Sequence, residues 1–311
     1  METAKFGNTD MMISRIGFGA WAIGGGNWAF GWGPQDDGEA IAAIHRAIDK
    51  GMNWIDTAAV YGLGHSEELV ARALKGMSKK PYIFTKCGLV WDDARKTSQN
   101  IKAESIRMEC EASLRRLNVE AIDLYQVHWP VDKDMEEAWE MMEKLRLEGK
   151  VRFIGVSNYN VKQLQLCMKI STVSSLQPPY SLLNREYEKE ILPFCKENGI
   201  GVIVYSPMGS GLLTGAMTRE RIASMPSDDW RRNSSYFQEP ALTQNLILVE
   251  KLRSIGKKYR RSAGEVAIAW TLQNPAVTAA IVGGRNAAQV EGISKSWDLK
   301  LTKEDIAEIS G

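Results

Sequence analysis

Asp56, Tyr61, Lys86 and His128 are the side chains whose types could combine into chemistry, and each lies at or just past the end of an apolar run. The runs are Trp54-Ile55 before Asp56, Tyr82-Ile83-Phe84-Thr85 before Lys86, and Ile122-Asp123-Leu124-Tyr125-Gln126-Val127 before His128, with Tyr61 a few residues beyond the first. Such runs read as buried strands, and a group that needs a tuned pKa is well held where a rigid strand stops. A phenol with an ordinary pKa of about 10 is a poor acid or base near neutrality, but an adjoining ammonium stabilises the phenolate and lowers that value. Tyr61 beside Lys86 is therefore a candidate general acid or base. A lysine placed in a pocket tends to lose its proton by desolvation, so an anion must hold its charge, and Asp56 is the nearest in sequence. His128 can donate a hydrogen bond that polarises a carbonyl. Taken singly, each has a plainer reading: a buried Tyr is an ordinary core residue, and a strand-end Asp caps the next helix. Taken together they describe a site for protonating an oxygen.

Elements that could hold these groups follow from the pattern. Strand cores are expected at 16–18, 54–56, 83–85, 124–127, 153–156, 175–177, 202–205 and 279–282. Between them lie amphipathic segments: Ala40, Ile41, Ile44, Ala47 and Ile48 follow the helical period, as do Met135, Ala138, Trp139, Met142 and Leu145. Alternating β and α units predict parallel strands joined by crossover helices, and eight of them predict an α/β fold of the closed (β/α)8 TIM-barrel type, one domain over 1–311. An open doubly wound sheet shares the alternation, but Gly24-Gly25-Gly26 lacks the G-x-G-x-x-G spacing leading into a helix. That segment, with Trp28, Phe30 and Trp32, reads as an aromatic active-site loop, its alternative being a surface loop. Phe6-Gly7-Asn8-Thr9-Asp10 between apolar flanks reads as a tight hairpin, and the irregular stretch 208–240 as a lid over a cofactor.

With 44% hydrophobic residues in 311, the chain can bury one large core. A net charge of +1 without a long basic block argues against nucleic acid or a membrane surface as partner, and no apolar run is long enough to span a bilayer. Small-molecule substrates fit better. Cys87, Cys110, Cys167 and Cys195 lack pairing or metal spacing, and the first residues lack an apolar signal core, so a cytoplasmic location is expected. Cys87 reads as a small buried filler rather than a redox thiol. His45, His65 and His128 are not spaced as a zinc motif, so no metal is expected.

Ser157, Asn158 and Gln177 offer a hydroxyl and carboxamides at strand ends that could bond a nicotinamide amide, and Tyr205 offers a flat face for the ring. Gly283 and Gly284 lead through Arg285 into a helix from about residue 287, a setting that favours phosphate. Trp21, Trp28, Trp91 and Trp129 lie in loops beyond strand ends and are candidate substrate-pocket walls, although ordinary packing explains any one of them.

The stretch Gly51-Met-Asn-Trp-Ile-Asp56-Thr-Ala-Ala-Val-Tyr61-Gly, followed by His65-Ser-Glu67-Glu68, resembles the signature of the aldo-keto reductase family. Lys86 after its strand, Val127-His128-Trp129-Pro130 and Gly155-Val156-Ser157-Asn158 match in the same order, and the resemblance covers essentially the whole chain. It implies that the hairpin plugs the barrel bottom, that Asp56, Tyr61, Lys86 and His128 form the catalytic set, and that the activity is hydride transfer from NAD(P)H to an aldehyde or ketone. It also assigns Ser157, Asn158, Gln177 and Tyr205 to the nicotinamide, and Ser206, Leu212 and Gly215 to phosphate. Arg285 would pair with the 2′-phosphate that distinguishes NADP(H), the favoured cofactor, from NAD(H); Gln289 would face the adenosine. Gly292 and Ile293 depart from an acidic or amide residue followed by Asn in many relatives, which leaves the adenine contacts and NAD(H) open. A monomer is implied. Two other functions remain: oxidation of alcohols or polyols by the same residues, and a low-turnover, cofactor-holding partner role like that of potassium-channel β subunits.

Overall fold

The computed structural model describes residues 1–310. Eight parallel strands close into a barrel: β1 Ile16–Gly19, β2 Trp54–Asp56, β3 Tyr82–Cys87, β4 Ile122–Val127, β5 Val151–Ser157, β6 Ser175–Gln177, β7 Gly201–Val204 and β8 Ala279–Gly283. Each pairs with the next in sequence and β8 pairs with β1, which is the (β/α)8 architecture. Tyr205, expected within a strand, lies one residue past β7 in a bridge to Pro179. The helices pack outside; Asp37–Asp49 buries Ala40, Ala43, Ile44 and Ala47, and is started by the Asp36 side chain accepting from the Glu39 N–H.

The two-residue side-chain period of a strand explains where the polar groups must go. Trp54, Phe84, Leu124, Ile203, Ala279 and Ile281 fill the barrel interior, with Phe153 packed against them. Two residues further along the same inward faces come Asp56, Lys86, Gln126, Gly155, Tyr205 and Gly283. An apolar layer therefore lies under a polar one, and the polar one is at the carboxyl ends of the strands. Gly17 is required in this packing, because a Cβ there would stand 2.0 Å from the Trp54 ring.

The floor of the barrel is closed by the antiparallel hairpin Thr3–Lys5 and Met12–Ser14. Its tip sends Phe6 and Met11 into the interior layer, and Phe6 stacks on Phe84 with ring centroids 5.7 Å apart. Gly7 holds φ +52° at this point, where a Cβ would meet the Gly201 nitrogen at 2.3 Å.

Three features differ from the sequence pattern. A second hairpin, Leu89–Trp91 with Thr97–Gln99, follows β3; its second strand is polar and half-buried to exposed, so no apolar run marks it. Segment 208–240 is not irregular: it holds the helix Arg219–Ala223 and 3-10 turns at Leu212–Thr214, Trp230–Asn233 and Ser235–Phe237. It is packed on Leu212, Met217, Met225, Phe237 and Leu242, apolar residues too widely spaced in sequence to be seen as a core. The helix after Arg285 is short, Ala287–Glu291. All four cysteines are buried and free, and among the described residues no helix is long and apolar enough to cross a membrane and no cluster could hold a metal.

Replacing Phe6 by Ala removes the plug and leaves a cavity against Phe84; a loss of about 3–5 kcal/mol in urea-unfolding stability is expected. A change under about 1 kcal/mol would show that the hairpin does not carry the floor.

Candidate active site

Lys86 is the centre of the polar layer. Its Nζ is fully buried and donates to Asp56 Oδ2 at 2.6 Å, to the Thr57 carbonyl at 2.8 Å and to Tyr61 Oη at 3.2 Å, which uses all three ammonium hydrogens. Asp56 and Lys86 reach each other because adjacent parallel strands present them from the same inward layer. Tyr61 comes from the turn after β2, which is tied to β1 by Ser66 Oγ bonding Thr57 Oγ1 at 2.9 Å and the Ala20 carbonyl at 3.0 Å. A second buried carboxylate stands on the far side of β3: Glu67 accepts from Thr85 Oγ1 at 2.6 Å and from Arg116 Nε at 2.7 Å, and its charge also favours the Lys86 ammonium.

Burial lowers the Lys86 ammonium and raises the Asp56 carboxyl, and each partner's charge opposes the other's shift. Burial also pushes the Tyr61 phenol well above its ordinary range, and the Asp56 carboxylate adds to this. An adjoining Lys86 ammonium by itself would make the phenol more acidic, but in this arrangement burial outweighs it, and Tyr61 is held protonated. His128 is pushed well below the usual imidazole range by burial and then by the Lys86 charge, so it is neutral near pH 7. Its ring stands edge-on to Tyr61 at 5.8 Å. A protonated phenol and a neutral imidazole side by side can both offer hydrogens to one oxygen.

Ser157, Asn158, Gln177 and Tyr205 form one connected group beside this centre. Tyr205 Oη donates to Asn158 Oδ1 at 2.9 Å, Asn158 Nδ2 donates to the His128 carbonyl at 3.0 Å, and Ser157 Oγ donates to the Gln177 carbonyl at 2.8 Å. Gln177 Nε2 reaches back to Asp56 Oδ1 at 2.8 Å. Past β7 the backbone turns left-handed at Ser206, Gly209, Ser210, Gly211 and Gly215, the kind of turn that gathers amides around an anion. The N–H groups of Ser206, Ser210 and Gly215 have no acceptor among the described residues, whereas the Leu212 N–H is spent on the Gly209 carbonyl at 3.1 Å. Strand-end carboxamides, a flat phenol ring and unbonded amides are a donor set that fits a nicotinamide dinucleotide.

At the other end, Arg285 is engaged by the β1 loop: Nε donates to Gln35 Oε1 at 2.7 Å, one Nη to the Trp32 carbonyl at 3.0 Å, the other to the Pro34 carbonyl. Gln289 Oε1 accepts from the Arg285 N–H at 2.9 Å, and Gly283 pairs with Gly19.

Trp21 and Trp28 both stand against Tyr61, at 6.1 and 6.2 Å between ring centroids. Trp129 is 41% exposed at the rim, and Trp91 lies on the second hairpin with the Arg116 guanidinium 5.9 Å from its ring. Trp230 was not singled out in the sequence, where it stands alone in a polar stretch; it stacks on Trp21 at 5.2 Å, with Trp32 edge-on to Trp21 at 5.4 Å. Arg231, paired with buried Asp229 at 2.6 Å, covers the Trp32 ring at 4.3 Å. Segment 208–240 and the β1 loop are thus clasped over the strand ends. Gln126 and the Thr57 carbonyl also went unmarked; a polar residue at an inward position of an apolar strand is the signal that finds Gln126.

Residues 15–311 match the sequence profile of the Aldo/keto reductase family. An aldo-keto reductase of Bacillus subtilis (strain 168) is 37% identical, over 100% of this chain and 93% of that protein. An NADH-specific methylglyoxal reductase of Escherichia coli (strain K12) is 33% identical, over 98% of this chain and 96% of that protein. Among solved structures, a glycerol dehydrogenase from Gluconobacter oxydans superposes with a TM-score of 0.89 at 38% identity, covering 99% of this chain and 94% of that one.

Lys86→Met strands the Asp56 carboxylate in the interior and is expected to cost about 3–5 kcal/mol of stability at pH 7. Removing the ammonium raises the Asp56 carboxyl further, and a carboxyl raised by folding favours the folded state only while protonated, so the deficit should shrink as pH falls toward about 4. Thermal melts across that range check it; a deficit independent of pH would contradict the pairing.

Proposed function

The chain belongs to the aldo/keto reductase family, and we propose that this site reduces aldehydes or ketones with a nicotinamide cofactor while Tyr61 protonates the carbonyl oxygen. One observation carries the reading: the Tyr61 hydroxyl lies 3.2 Å from a buried ammonium that is itself held by a carboxylate at 2.6 Å. A reduced nicotinamide, when bound, supplies a hydride to the carbonyl carbon. The protein's part concerns the oxygen. Burial keeps the Tyr61 proton in place until charge develops on the substrate oxygen; once the proton leaves, the phenolate stands against the Lys86 ammonium, which Asp56 keeps charged. His128, neutral, offers a second hydrogen and orients the carbonyl. Trp21 and Trp28 cover Tyr61 and exclude water, which strengthens each of these interactions.

Ser157, Asn158 and Gln177 would hold the nicotinamide amide and Tyr205 its face, with Ser206 and Gly215 at the diphosphate beneath 208–240 as a lid; the Leu212 amide, expected there too, is held by the Gly209 carbonyl. For the adenosine end we propose NADPH, on Arg285. NADH is the second reading, favoured because the Arg285 guanidinium is already engaged by three acceptors and because one relative is named as NADH-specific. The substrate is a small carbonyl compound, and Trp21, Trp28 and Trp129 are the walls the site offers it; Trp91 faces Arg116 instead. By microscopic reversibility the same groups serve oxidation of an alcohol or polyol, the direction in which a structural relative is named. The chain acts in this reading as a single barrel domain and a monomer in the cytoplasm.

Tyr61→Phe should lower kcat for aldehyde reduction by about a hundredfold to ten-thousandfold with cofactor affinity retained. Wild-type turnover in that variant would remove Tyr61 from the acid role. Arg285→Ala should raise KM for NADPH about tenfold and leave KM for NADH unchanged if Arg285 turns to a phosphate; equal changes for both cofactors would assign it to the β1 loop alone.

A further inference from the structure

Gln126, on β4, is fully buried, and its amide Nε2 has no acceptor among the described residues. Its Oε1 lies 3.4 Å from Ser175 Oγ and 3.5 Å from Gln177 Nε2. Turning the amide over would set its NH2 against that of Gln177, so the neighbour fixes the orientation and the idle group is the donor. A buried donor without a partner destabilises the fold, and the two bonds that Oε1 accepts, at 3.4 and 3.5 Å, are too long to offset it fully. The residue therefore calls for another state in which the donor is used.

The acceptor is close by. Gln126 is the register neighbour of Lys86, and its amide is near enough to Asp56 to help hold that carboxyl down without making a full hydrogen bond. Asp56 Oδ2 is taken by Lys86 and Oδ1 by Gln177 Nε2 at 2.8 Å. Gln177 is also the side chain assigned above to a nicotinamide carboxamide. Gln177 can meet a carboxamide through its own Oε1 and keep this bond, or donate to the carboxamide oxygen and give it up; the second leaves Asp56 Oδ1 bare beside a buried ammonium.

We propose that Gln126 is a positioning residue that takes over Asp56 Oδ1 when Gln177 turns to the cofactor, so that the carboxylate holding Lys86 keeps two donors in both states. The inference rests on the functional reading above, and it adds to it a pair of amides that exchange one acceptor. It accounts for the idle donor, for the long 3.5 Å approach between the two glutamines, and for a polar residue in the middle of the inward layer.

The test measures dissociation constants for NADPH and NADH by fluorescence titration, and melting temperatures without cofactor, for the wild type, Gln126→Met, Gln177→Met and the double variant. Gln126→Met should melt at or above the wild type, because the idle donor is gone, while cofactor binding weakens about tenfold or more, the worth of a hydrogen bond to a charged group. In the Gln177→Met background no exchange is needed, and adding Gln126→Met should change cofactor affinity less than about twofold. Unchanged cofactor affinity in Gln126→Met, an equal loss in both backgrounds, or a Gln126→Met protein that melts lower or fails to fold would overturn the proposal, since each makes the amide inert or merely structural. A wild-type protein that binds neither cofactor would overturn the functional reading itself and take this proposal with it.

Discussion

A charged ammonium buried inside a barrel is the constraint around which this molecule is arranged. Lys86 cannot keep its proton there without an anion in contact, and its three hydrogens find a carboxylate, a carbonyl and a phenol at 2.6, 2.8 and 3.2 Å. The carboxylate needs its own support and receives it from Gln177. The consequences run outward from there. Asp56 must lie on the strand beside β3, Tyr61 must return over the barrel mouth from a turn anchored to β1, and a dry floor must lie beneath, because water from below would compete for every one of these bonds.

That floor is supplied by shape rather than chemistry. The layer of Trp54, Phe84, Leu124 and Ile203 is closed by Phe6 from a hairpin outside the barrel's own sequence of strands, and Gly17 stands where the Trp54 ring leaves room for no side chain. Above the ammonium the closure is aromatic. Trp21, Trp28, Trp32 and Trp230 come from two segments far apart in the chain and meet over Tyr61, with Arg231 on the outer face of Trp32. That contact ties segment 208–240 to the loop after β1, because Trp230 belongs to one and stacks on Trp21 of the other.

The relatives agree on the family and differ in their named cofactor or substrate. Beside the ammonium, Ser157, Asn158, Gln177 and Tyr205 form a connected network of strand-end side chains. At the far end of the strand mouths the Arg285 guanidinium holds the β1 loop. On the proposed function, a 2′-phosphate would have to compete with that loop for one guanidinium.

The eight barrel strands and their order were determined by sequence alone. Short apolar runs marked the strands and the 3.6-residue pattern of residues 40–48 and 135–145 marked two of the helices, because burial on both faces leaves a continuous run and burial on one face of a helix recurs every third and fourth residue. The placement of Asp56, Lys86 and His128 at strand ends followed from the same runs. Tertiary structure alone decided what a polar strand and scattered apolar residues do: the second hairpin, the packed segment 208–240, and Trp230 against Trp21. It also decided the protonation states. Proximity of Lys86 argues for an acidic phenol, but the depth of burial that overrides it depends on how many atoms surround the site, and that number exists only once distant parts of the chain have closed over it.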